Sequence, residues 1–243
     1  NLAFGTEHSR LPPLALDTPA GHRLELHGRI DRVDLLEQQA AFAVIDYRMG
    51  DVAGMSATNV YYGLSLQLLA SLLIMQNHGQ TLTGKSLTPA AALCVRLLRQ
   101  IEKIAHPGDA PSPDDELFHL WPRQRGIINQ RFLECFDEHL QPGEDSAVLP
   151  VRINQNGTIA KSCTDVATDD ELRKLLDFVR TKLAQIADQI LEGDARVFPY
   201  RLGTSTPCGN CQWRSLCRFQ PGIDSYNFIQ PVARADLVEG GST

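Results

Sequence analysis

Residues 28–50 read GRIDRVDLLEQQAAFAVIDYRMG, two extended segments that carry acidic residues outward from an apolar core. Leu24, Leu26, Ile30 and Val33 mark a first strand interrupted at Gly28, with Asp31 and Asp34 interspersed. The second segment, Ala41 to Arg48, is an apolar run that ends in Asp46, Tyr47 and Arg48. A turn rich in Glu37, Gln38 and Gln39 joins them, so an antiparallel hairpin is the natural pairing. That pairing brings Asp31 and Asp46 together at one end of a sheet. Two carboxylates at such range repel unless a cation lies between them, and hard divalent ions such as Mg²⁺ favour oxygen ligands. Spacing alone leaves a plainer alternative open, the solvated face of a hairpin.

The wording of the same stretch goes further. GRIDRVD followed by VIDYRMG resembles the RecB-like branch of the PD-(D/E)XK nucleases, usually G-x-I-D-R-x-D and then I-D-Y-K-S/T-G. The resemblance implies an α/β (α+β) fold with a restriction-endonuclease-like core, a mixed sheet flanked by helices. It also implies Mg²⁺- or Mn²⁺-dependent hydrolysis of DNA phosphodiesters. In that reading Asp31 and Asp46 are the metal-binding acids, and the backbone carbonyl of Tyr47 completes the metal shell. Arg48 stands where the family has its catalytic lysine, which is a departure. An arginine supplies positive charge and bidentate phosphate contact, but it keeps its proton throughout the working pH range and is a poor proton carrier. Cleavage is therefore expected to be slow or lost, with DNA binding retained.

Beyond the hairpin, residues 60–76 are apolar at helical spacing (Leu64, Leu68, Leu72, Met75) and predict a largely buried helix. Gln67 falls where the RecB-like family has Gln-x-x-x-Tyr, a motif that helps position nucleic acid; Ser71 holds the tyrosine position. A glutamine satisfied by its helical neighbours is the competing reading. GQTLTGKS, residues 79–86, matches the P-loop pattern letter for letter, yet a helix precedes it and the strand-like PAAALCV follows. A phosphate loop needs the opposite order, strand before helix, so nucleotide binding is set aside and Gly79 is read as a helix C-cap. Residues 105–116 are a polar, Pro-rich loop. Residues 122–140 predict a helix with Ile127, Ile128, Phe132, Cys135 and Phe136 on one side. Asn156-Gly157 signals a hairpin. Thr168-Asp-Asp-Glu171 is a capping box opening a long helix that Gly193 ends.

Cys208, Cys211 and Cys217 form Cys-x2-Cys-x5-Cys, a spacing that places thiolates on one centre. Soft sulfur suits zinc or an iron–sulfur cluster, and thiols packed in a core are the alternative. Three ligands are one short of a closed site; Cys163, another local donor or a residue outside the chain would supply the fourth. The tail from VFPYRLGTSTPCGNC (197–211) to CRFQP (217–221) is similar to the C-terminal nuclease domains of AddB-type subunits of bacterial helicase–nucleases. LPPLAL (11–16), VLPVRINQNGTIAKS (148–162) and EGDARVFPYR (192–201) extend the likeness along the chain. This resemblance implies a C-terminal metal staple, a 4Fe-4S cluster whose fourth cysteine lies outside the chain, with Zn²⁺ as the alternative. It implies DNA and an AddA-like helicase–nuclease subunit as partners, in double-strand-break repair and recombination. The family's further acidic or His ligand lies on a first helix; Glu7 and His8 are the nearby candidates here.

The bulk numbers agree with a soluble chain. At 243 residues, 43% hydrophobic and 21% charged, it can bury a sizeable core. A net charge of −6 argues against a general nucleic-acid coat but leaves room for a local basic channel. No apolar run is long enough to span a membrane. Six cysteines, three of them clustered, point to metal ligation and a cytoplasmic location rather than a disulfide framework. The chain opens on Asn1, which fits a piece of a longer subunit. The expected organisation is one domain: an extended lead-in (1–22), a nuclease core (23–104), a helical insert with a hairpin (105–200), the cysteine cluster (201–221) and a tail (222–243). Two other functions stay open: a catalytically impaired homologue that binds DNA or docks a subunit, and an unrelated zinc-stabilised interaction domain.

Overall fold

The structure, a computed structural model, describes residues 1–49, 55–97, 106 and 123–239. Three short strands open the chain, β1 (Leu2–Phe4), β2 (Leu14–Asp17) and β3 (Arg23–Leu26), followed by β4 (Gly28–Ile30) and β5 (Arg32–Leu36). The first strand expected from the sequence is thus three pieces, β3 to β5. The lead-in is not a loose extension: β1 pairs with β4 and β2 with β3, both antiparallel. Phe4, Leu11, Leu14 and Leu16 are buried. Gly28 lies where any Cβ would meet the Phe4 ring at 2.9 Å, which accounts for the glycine.

The expected hairpin forms between β5 and β6 (Ala41–Arg48), closed by a 3₁₀ turn over Glu37–Gln39. Helices α1 (Ala57–Tyr61) and α2 (Gln67–Thr83) then lead to β7 (Thr88–Arg96). The helix expected over 60–76 is therefore broken, with Gly63 at φ +74 between the two pieces. Gly79 does not cap it. The helix runs on to Thr83, and Gly84, at φ +72, is the left-handed cap. Because α2 carries the chain back across the sheet, β7 lies parallel to β6. The P-loop lookalike is the end of α2 and the turn into β7.

The predicted helix over 122–140 is a correction. Arg125–Asn129 is a strand, β8, antiparallel to β7, followed by a 3₁₀ turn and one helical turn, α3 (Leu133–Phe136). The cause is burial on both faces: Ile127 belongs to the core under α2 and Ile128 to the core on the opposite side. A strand packed on both sides shows an unbroken apolar run instead of alternation. Gly126 is needed here, since a Cβ would stand 2.0 Å from the Ala92 carbonyl oxygen. A fifth strand, β9 (Val166–Ala167), pairs with β8, giving the order β5-β6-β7-β8-β9 in a mixed sheet. Residues 105–200, expected as a helical insert, thus supply two strands of the main sheet. The expected loop at 105–116 lies outside the described residues except for His106.

The Asn156-Gly157 turn is present: Asn154 N donates to Thr158 O at 2.8 Å, with Gly157 at φ +79. The capping box at Thr168 is formed in both directions and opens α4 (Asp169–Leu191). Leu172, Leu175, Leu176 and Val179 of α4 and Leu69, Leu72, Leu73 and Met75 of α2 form one core with Phe42, Val44 and Ala92. Beyond α4 lie β10 (Tyr200–Arg201), α5 (Arg214–Cys217), β11 (Asn227–Phe228) and α6 (Arg234–Glu239). Among the described residues no helix is long and apolar enough to cross a membrane.

Candidate active site

The β5–β6 register pairs Arg32 with Ile45 and Val33 with Val44, so the next step places Asp31 opposite Asp46. Side chains alternate along a strand, and Phe42 and Val44 pack beneath α2. Asp46 and Arg48 therefore belong to the α2 face. Gln67, the first residue of α2, arrives at the same place. Asp31, Asp46, Gln67 and Ser71 line one small pocket, together with Arg29, Ile30, Ile45 and Leu68. The sequence-predicted acids and glutamine are thus brought together.

Each acid already has one protein partner. Tyr47 N donates to Asp31 Oδ2 at 3.2 Å. Arg48 Nε donates to Asp46 Oδ2 in a short ion pair, with Asp46 only 15% exposed. Burial works against the Arg48 charge, but the hydrogen bond and charge of Asp46 outweigh it and hold the guanidinium above its ordinary pKa. The parallel register sets Cys94 beside Asp46. Burial, then the Asp46 charge, push the Cys94 thiol up, with Arg48 opposing. Tyr47 turns its ring to the other face, among the core residues around Ile45, and its hydroxyl accepts from Arg32 Nη1 at 3.2 Å. Arg32 in turn grips Asp34 at 2.6 and 2.7 Å. Ser71 Oγ donates to the Gln67 carbonyl at 3.0 Å, a bond within the helix. Glu7 and Asp31 do not meet: Glu7 and His8 lie in an exposed turn, and neither lines the pocket.

The donors fit a hard divalent cation. They are oxygens only, and among the described residues Asp31 Oδ1 and Asp46 Oδ1 accept no hydrogen bond. Arg29 and Cys94 were not singled out from the sequence as site residues. Arg29 sits inside the GRID wording, and the Cys94 placement depends on β6–β7 pairing between strands about 40 residues apart, which no local pattern records.

The sequence also singled out the thiols of Cys208, Cys211 and Cys217. They line a second pocket with Arg214, Phe219 and Pro221. All six cysteines are free, and Cys211 and Cys217 are exposed. Cys163 is not part of that pocket; its sulfur accepts from Arg152 N at 3.2 Å. Sulfur donors on one wall suit a soft metal. Among the described residues, however, no three His, Cys, Asp or Glu side chains are gathered as a group able to hold a metal ion.

A mixed sheet flanked by helices, with two acids facing across its hairpin, is the frame of a known class. The model of the PD-(D/E)XK nuclease superfamily matches residues 2–218, and the chain belongs to that superfamily. It is similar to the AddB subunit of the ATP-dependent helicase/deoxyribonuclease of Anoxybacillus flavithermus, 32% identical over 98% of this chain and 21% of the relative. The proteins of the same name from Symbiobacterium thermophilum and Moorella thermoacetica are each 34% identical, over 93% and 91% of this chain and 19% of their own length. The chain spans about a fifth of the length of these curated relatives. The AddB-type likeness read from the sequence is borne out by these relatives, and the reading as an unrelated zinc domain falls.

Proposed function

We propose that the chain is the metal-dependent nuclease domain of a helicase–nuclease subunit that acts on DNA in double-strand-break repair and recombination. The observation that carries this reading is the pocket shared by Asp31, Asp46 and Gln67. Asp31 and Asp46 would hold Mg²⁺ or Mn²⁺, with the Tyr47 carbonyl as a further oxygen ligand. When bound, the cation polarises the scissile phosphate and acidifies a water. Gln67 orients the strand from the α2 side. Arg48 offers its terminal guanidinium nitrogens to a phosphate oxygen while its Nε stays on Asp46. The thiols of Cys208, Cys211 and Cys217 would ligate a 4Fe-4S cluster with a fourth cysteine from outside this chain; Zn²⁺ is the alternative. The partner is an AddA-like helicase–nuclease subunit, and the location is cytoplasmic.

The Arg48–Asp46 pair favours a second reading, a homologue impaired in cleavage that still binds DNA. An arginine fixed on a metal-binding acid competes with the cation for that acid and does not carry protons. The test compares Mg²⁺-dependent DNA cleavage by the full-length protein and its Arg48→Lys variant. Slow cleavage by the parent and faster cleavage by the variant support impairment. A fully active parent with a lysine variant no better removes it, and loss of metal-dependent cleavage from both removes the nuclease.

A further inference from the structure

Arg32, Asp34 and Tyr47 form an array on the hairpin face turned away from α2. Val33, between the first two, packs toward the α2 core, so alternation sends Arg32 and Asp34 to the opposite side. Arg32 Nε donates to Asp34 Oδ1 at 2.6 Å and Nη2 to Asp34 Oδ2 at 2.7 Å, a two-pronged grip that fixes the guanidinium plane. The remaining nitrogen, Nη1, donates to Tyr47 Oη at 3.2 Å. An ion pair as exposed as this one, 53% at Arg32 and 39% at Asp34, contributes little to stability. Its geometry serves something other than holding the hairpin together.

That something is Tyr47. The β5–β6 ladder stops at the Arg32–Ile45 pair. Beyond it Asp46 and Tyr47 keep their β7 partners, Cys94 and Val95, but have no ladder partner on β5. Two other bonds take over on the β5 side. The Tyr47 amide donates to Asp31 Oδ2 at 3.2 Å, and the Tyr47 hydroxyl accepts from Arg32. Tyr47 is thus tied at its amide and at the tip of its ring, to two consecutive residues of the facing segment. The ring itself packs among the core residues around Ile45. With amide and side chain both fixed, little freedom is left to the Tyr47 carbonyl.

We propose that Arg32 and Asp34 are positioning residues for the metal site: Asp34 braces Arg32, and Arg32 holds the Tyr47 side chain, so that the Tyr47 carbonyl keeps its place as a ligand beside Asp31 and Asp46. The inference rests on the reading of that pocket as a divalent-cation site. Groups that orient the ligands of a metal without touching it govern its affinity. Charge alone makes the opposite prediction for Arg32. A cation near the site repels the metal, so removing it would tighten binding. A clamp that is removed loosens it.

The test is Mn²⁺ titration of the full-length protein, followed by loss of the free-ion EPR signal. The site is defined as the Mn²⁺ binding that Asp46→Asn abolishes. Arg32→Met and Tyr47→Phe should each weaken binding there by about tenfold or more, and the double variant should be no weaker than either alone, since both act through one bond. Arg32→Lys, which keeps the charge without the two-pronged grip, should not restore the parent's affinity. Asp34→Asn should weaken binding in the parent and change nothing in Tyr47→Phe, where the brace has nothing to hold. Parental or tighter Mn²⁺ binding by Arg32→Met or Tyr47→Phe, even with a lowered melting temperature, would overturn the clamp and leave Asp31 and Asp46 as ligands. A parent without Mn²⁺ binding that Asp46→Asn removes would overturn the metal reading, and the clamp with it.

Discussion

Asp31 and Asp46 stand opposite each other at the end of the β5–β6 ladder, one step beyond the Arg32–Ile45 pair. Their protein partners, the Tyr47 amide and the Arg48 guanidinium, come from the same strand end. Asp46→Asn or Asp31→Asn should lower Mg²⁺-dependent cleavage by about 100-fold or more, because a lost ligand charge weakens a term of several kcal/mol. Cleavage assays with folding checked by circular dichroism decide it; undiminished activity in either variant removes that acid from the site.

Arg125 and Asp165 form an ion pair whose acid is deeply buried. Asp165, 3% exposed, accepts from Arg125 Nε at 2.9 Å and Nη2 at 3.2 Å, and from Gly126 N at 3.1 Å. Arg125→Met leaves that carboxylate under-compensated. Expected destabilisation is about 2–3 kcal/mol, less than for a wholly buried pair because Arg125 is 37% exposed. Urea denaturation measures it.

Gly126→Ala should be worse. The added methyl would stand 2.0 Å from the Ala92 carbonyl, and β8 can yield only by leaving β7. A loss above about 4 kcal/mol, read as a large fall in melting temperature or as insoluble protein, is expected. A soluble variant with the parent's melting temperature would contradict the β7–β8 pairing.

Thr168→Ala removes the oxygen that accepts from Glu171 N at 3.1 Å. The reciprocal bond, Thr168 N to Glu171 Oε2 at 2.8 Å, can persist. A cost of about 1 kcal/mol follows, and Thr168→Ser should recover most of it. Thermal denaturation of the two variants beside the parent checks both.

For the cysteine pocket, Cys211→Ser in the full-length protein should lower bound iron, or zinc, well below the parent's content by elemental analysis. Cys163→Ser should not, since Cys163 does not line that pocket. Equal metal content in all three proteins would set the thiols aside as ligands.

The legible parts of this chain are those whose cause is local. The α4 capping box needs four consecutive residues and a helical period, and both are written between Thr168 and Leu191. The β5–β6 hairpin needs one turn and two runs, so the opposition of Asp31 and Asp46 follows from pattern and register. The lead-in was harder to read because β1 pairs with β4 beyond two intervening strands, and the strands of the local β2–β3 hairpin are too short to show a period.

By itself the sequence determined the acid-bearing hairpin, the long capped helix, the family wording around Asp31 and Asp46, and the spacing of the three cysteines. The assembled molecule decided that residues 125–129 are a strand. Ile127 and Ile128 are each buried, on opposite faces, and burial on two faces erases the alternation that marks a strand. It also decided that Gln67 reaches the acids and that Cys94 lies beside Asp46. Both depend on the α2 crossover and the parallel β6–β7 pairing, contacts between distant segments that no window along the chain contains.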